Sequence, residues 1–63
     1  MSSVKVFSNH DKDELNKEIE KFISEQEREC KEARLKFNIV NTDTKVTDDG
    51  LITVTITANR KMY

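Results

Sequence analysis

Proline and tryptophan are absent from this 63-residue sequence, and glycine and cysteine occur once each. Each scarcity excludes something. A lone Cys30 rules out an intrachain disulfide framework and a cysteine-built zinc site. A lone Gly50 rules out the glycine-rich loops that cradle phosphates in nucleotide-binding enzymes. With no proline-rich or glycine-rich stretch there is no interdomain linker, so residues 1–63 read as a single domain. No apolar run has the length of a signal peptide or membrane span, which predicts a soluble, cytoplasmic protein with no membrane partner. Neither sign of charge is in excess: eleven Lys and Arg stand against twelve Asp and Glu. That balance argues against the basic footprint of a DNA- or RNA-binding protein.

Apolar residues are also scarce, at 35% of the chain, with only three Phe and one Tyr. So short a chain buries a small fraction of its surface, and extra burial between copies is a common remedy. A homo-oligomer is therefore expected.

The apolar residues that are present fall into clear periods. Val4-Lys5-Val6-Phe7 is a short strand, halted by the capping types Ser8-Asn9-His10-Asp11. Asp11, Asp13 and Glu14 then suit a helix amino terminus, where the helix dipole favours negative charge. Leu15, Ile19, Phe22, Ile23 and Cys30 form one stripe of a helix of 3.6 residues per turn. After Lys31 the period becomes 2: Ala33, Leu35, Phe37 and Ile39 alternate with Arg34, Lys36, Asn38 and Val40. From Gly50 to Lys61 the alternation is cleaner still, with Ile52, Val54, Ile56 and Ala58 on one face and Thr53, Thr55, Thr57 and Asn59 on the other.

Two closures of the last two strands are open. A tight turn at Asp49-Gly50 sets Phe37 opposite Met62 and leaves Ile52, Val54 and Ile56 facing Thr47, Lys45 and Asp43. A long loop over Asn41–Gly50 instead pairs Ala33 with Ala58, Leu35 with Ile56, Phe37 with Val54 and Ile39 with Ile52. The hydrophobic match favours the long loop. Either way the fold is α+β in the order β-α-β-β: a three-stranded antiparallel sheet, its last strand central, with one amphipathic helix on the apolar face. The other face is bare. It carries the threonine row, with Lys5 and Phe7 expected from the first strand, and with Val40, Leu51, Met62 and Tyr63 exposed around it. A row that is polar but uncharged is compatible with a symmetry mate packed against it.

No catalytic set is visible. His10 reads as a capping-region histidine rather than a metal or acid–base centre. Cys30, on the apolar stripe, reads as a small buried hydrophobe, and Asp43, Asp48 and Asp49 lack calcium-loop spacing. One group combines cations with neutral donors: Arg34, Lys36, Asn38, Thr55, Thr57, Asn59, Arg60 and Lys61, expected at one end of the bare face. Such a mixture suits a phosphate or a nucleotide-like anion.

Several stretches resemble a family of very small, acidic, mother-cell sporulation proteins of spore-forming bacteria. They are "VKVF" at Val4–Phe7, "DELNKEIEKFI" at Asp13–Ile23, "LKFNIV" at Leu35–Val40 and the closing aliphatic strand that ends in Tyr63. This chain departs from that family in being nearly neutral, and the resemblance brings no site residue with it. The element order also resembles dodecins, flavin-storing proteins that assemble into hollow shells, but without Trp no flavin stack can form and no cofactor is implied. Small phage-borne proteins that sequester nucleotide immune signals are similar in size and in lacking catalytic groups. The expectation is a non-enzymatic homo-oligomer that takes up a small anionic, nucleotide-like ligand at subunit boundaries. The alternative is a sporulation-associated protein-interaction module.

Overall fold

The computed structural model describes residues 2–62, so Tyr63, invoked above, lies outside the described residues. Strand β1 (Ser2–Asn9) leads into helix α1 (Lys12–Glu32), followed by β2 (Leu35–Val46) and β3 (Ile52–Met62). The sheet order is β1-β3-β2, and both outer strands run antiparallel to β3.

The helix starts where its capping residue places it. The Asp11 carboxylate accepts from the backbone N–H groups of Asp13 (2.9 Å) and Glu14 (3.3 Å), satisfying two donors that have no partner inside the helix. Asn9 sets up this entry by accepting the Asp11 N–H at 2.8 Å. The helix ends at Ala33, whose N–H donates to the Glu29 carbonyl at 3.1 Å. Arg34 then takes φ of +59°. This left-handed turn is usually made by glycine, because a Cβ strains it. Arg34→Gly should therefore raise stability by about 1 kcal/mol, read as a later urea midpoint with an unchanged slope. A lower midpoint would show that the Arg34 side chain contributes more than its backbone costs. Ala33 and Arg34, expected in the second strand, thus belong to the turn before it.

Between β2 and β3 the long-loop pairing is wrong. The loop is only Asp48-Asp49-Gly50: the Gly50 N–H donates to the Thr47 carbonyl, the Thr47 N–H donates to the Leu51 carbonyl, both at 3.0 Å, and Gly50 sits at φ +86°. This is a type I turn completed by a left-handed glycine, a standard three-residue hairpin closure. Local turn chemistry has won over the hydrophobic match. Leu35 lies opposite Met62, Phe37 opposite Arg60 and Ile39 opposite Ala58, while residues 41–46 continue the strand instead of looping.

The loop length also decides which side chains face the helix. A two-residue turn would have turned Asp43 and Lys45 toward it. With three loop residues, Thr42, Thr44 and Val46 stand opposite Ile56, Val54 and Ile52, and Asp43 and Lys45 point the other way. Taken alone, that register would carry Leu35, Phe37 and Ile39 to the wrong face. A bulge at Val40, between Ile39 and Asn41, inserts one unpaired residue and resets the alternation.

The core is small. Leu15 (2% exposed) packs on Val54 and Ile56, with Phe7, Ile19 and Ile52 around them, and Cys30 and Ala58 are also buried. Phe22 stands between the outer strands, edge-on to Phe7 at 5.3 Å and to Phe37 at 6.5 Å between centroids. Phe7 and Lys5 therefore lie on the helix side, not on the bare face: Phe7 pairs with Val54 and Lys5 with Ile56, on the apolar side of β3. Val4 and Val6 take the outward positions instead, 63% and 55% exposed.

Candidate functional site

The face away from the helix can be read row by row from the two registers, starting at the hairpin tip. Ser8, Thr53 and Lys45 come first, then Val6, Thr55 and Asp43, then Val4, Thr57 and Asn41, then Ser2, Asn59 and Asn38, and last Lys61 beside Lys36. The threonines are half-buried between their neighbours, and Thr53 shares a hydrogen bond with Ser8 at 3.2 Å. At the tip end of this face one hydrogen bond thus joins β1 to β3, and Lys45 and Asp43 lie beside it on successive rows with opposite charges.

The opposite end sets like charges together. Lys36 and Lys61 are direct cross-strand partners, both exposed, and no carboxylate among the described residues lies within ion-pair distance of either. Like charges facing each other across a strand pair are destabilising. Immediately behind them, Asn38 faces Asn59, and the Asn59 side-chain oxygen is buried without a hydrogen-bond partner among the described residues. An orphaned buried acceptor is costly. Two cations and one acceptor without partners among the described residues thus sit together at one end of this face, away from Lys45 and Asp43, with Thr55 and Thr57 leading toward them.

Six of the eight expected site residues share this face: Lys36, Asn38, Thr55, Thr57, Asn59 and Lys61. The other two do not. Arg34 is held in the helix–strand turn by its left-handed backbone. Arg60 points to the helix side, donating to the Gln26 side-chain oxygen at 2.8 Å and to Glu29 at 3.4 Å. Strand alternation explains Arg60, which has the parity of Ile56 and Ala58. The signal for this was in the sequence, since Arg60 lies two residues past Ala58.

His10 meets the hairpin tip, with its Nε2 at 3.5 Å from an Asp49 carboxylate oxygen, and the Thr47 hydroxyl donates to the same carboxylate. The Thr47 hydroxyl, then His10, then the Leu51 backbone hold the Asp49 carboxyl below its usual range. Asp49 lies between hydroxyl and imidazole and accepts from both, so this chain of contacts does not put a base on a nucleophile. Its effect is to tether the β1–α1 loop to the hairpin tip. Among the described residues no group of three or more His, Cys, Asp or Glu is placed to hold a metal ion, and no helix is long and apolar enough to cross a membrane.

Comparison with protein-family models, with curated proteins and with solved structures finds no match to this chain. Neither the sporulation-protein resemblance nor the dodecin-like one gains support from it, and the site stands on its own geometry.

Proposed function

We propose that the protein is a non-enzymatic, self-associating binding module whose uncovered sheet face holds a small anionic, nucleotide-like ligand at the Lys36–Lys61 end. The observation that carries this reading is the pairing of two facing lysines with the orphaned Asn59 oxygen. The lysines supply positive charge for a phosphate. The Asn38 and Asn59 side-chain amides beside them suit a ribose hydroxyl or a base edge. A nucleotide meets both demands at once. Small size and a minimal core support self-association, and with no catalytic group assembled among the described residues, sequestration rather than turnover is the simplest use of such a site.

Thermal unfolding in the presence of nucleoside phosphates, cyclic dinucleotides and ADP-ribose derivatives tests the reading. A ligand that binds only the folded state raises stability by about 2.7 kcal/mol at a hundred times its Kd. Lys36→Gln/Lys61→Gln should lose that response while being at least as stable as the parent without ligand, because the facing charges are gone. No shift with any of these compounds at millimolar concentration would overturn it. The exposed Val4 and Val6 on the same face favour a second reading, a protein-interaction module of the sporulation type, which that negative result would put first.

A further inference from the structure

The sheet has two outer strands, each with one backbone edge that no strand among the described residues pairs, and the two edges differ. Bulges and charged side chains are the usual devices that keep an edge from pairing with another chain. β2 has both: the bulge at Val40 interrupts its ladder, and Lys36, Asp43 and Lys45 line it. β1 has neither bulge, proline nor glycine. Its pairing with β3 runs unbroken from Ser2–Asn59 to Asn9–Ile52, and its one charged residue is Lys5.

We propose that the free edge of β1 pairs antiparallel with β1 of a second copy about a two-fold axis at Val6, forming a six-stranded sheet in the order β2-β3-β1-β1-β3-β2. This rests on the self-association part of the reading above. Antiparallel edge pairing requires an axis perpendicular to the sheet, which keeps both helices on one side, so each residue meets only residues of its own face. That restricts the register. An axis at Lys5 sets two lysines directly opposite each other and is disfavoured. An axis at Val6 aligns Ser3–Asn9 of both copies, the longest overlap that avoids this clash. It sets Val6 against Val6, Val4 against Ser8 and Lys5 against Phe7 of the second copy. Lys5 already lies over the Phe7 ring of its own chain, 5.9 Å from the centroid. In the pair it stands between two such rings, so the one charge on this edge becomes an attractive contact.

Cysteine cross-linking tests the register. Val6→Cys places two thiols opposite each other at the axis, within the Cα separation that a disulfide spans. Val4→Cys is on the same strand and face and equally open, yet stands four residues from its copy across the axis, beyond that reach. The native Cys30 is 1% exposed and gives the background. Under mild oxidation, the Val6→Cys protein should form linked dimer at least tenfold faster than the Val4→Cys protein. Val6→Lys should lower the mass measured by light scattering while keeping the helical circular dichroism. Equal cross-linking rates, or an unchanged mass for Val6→Lys, would overturn the edge pairing and leave self-association standing. A monomeric wild-type protein would overturn both.

Discussion

Leu15→Ala should leave the protein largely unfolded at room temperature. Leu15 is the apolar side chain that brings the start of the helix onto the middle strand, 2% exposed and packed on Val54 and Ile56. Truncating a buried leucine costs about 2–5 kcal/mol, rising with how little the cavity can collapse. Little collapse is available here: the opposing face is a hydrogen-bonded sheet, and the neighbours Phe7, Ile19 and Ile52 are already committed to the same contact. A chain of this size has about 3–9 kcal/mol in total. Loss of the helical signal in the absence of denaturant is the expected result, while a midpoint within a few degrees of wild type would place the core elsewhere.

Phe22→Ala should come next, at about 3 kcal/mol. Its ring is only half-buried, so the effect arises from position more than from area. Phe22 touches Phe7 on one outer strand and Phe37 on the other, so the helix clamps β1 and β2 across the central strand. Edge-to-face pairs add about 0.5–1.5 kcal/mol each beyond burial. Phe22→Leu keeps the bulk and loses the ring geometry, and should recover more than half of the loss. If Phe22→Leu unfolds as readily as Phe22→Ala, ring geometry rather than volume carries the clamp.

The helix and the last strand were legible because each shows one period over a long run. Asp11 as cap, the stripe from Leu15 to Cys30, and the split between Ile52-Val54-Ile56 and the threonines all follow from spacing. Register was not. Leu35, Phe37 and Ile39 match the apolar row of β3 well, and pairing them with it looks favourable until the helix and Phe7 are recognised as the cover for that row. The informative feature was a slip in phase: apolar and β-branched residues sit at odd positions up to Ile39 and at even positions from Thr42 to Val46. A strand that changes parity midway contains a bulge, and the Asp-Asp-Gly turn fixed which half paired where. The candidate site inherited this. Lys36, Asn38, Asn59 and Lys61 share a face in any register that sets even-numbered residues of β2 opposite odd-numbered residues of β3, whereas Arg34 required knowing where the helix stopped, and its turn was hidden because an arginine occupies a glycine position.

Chain order gives the two strand pairings different histories. β2 and β3 are neighbours in sequence joined by three residues, so their ladder closes locally, on a scale of about 1–10 microseconds for an isolated hairpin. Between β1 and β3 lie the helix, β2 and the turn, and that long closure makes their pairing the slower step. On a ribosome β1 therefore emerges well before the strand it must join, and waits with both edges free. In the folded protein the same asymmetry predicts that amide protons of β1 exchange with solvent sooner than those at the centre of the hairpin. The strand that completes the sheet is thus the one most often open to another chain.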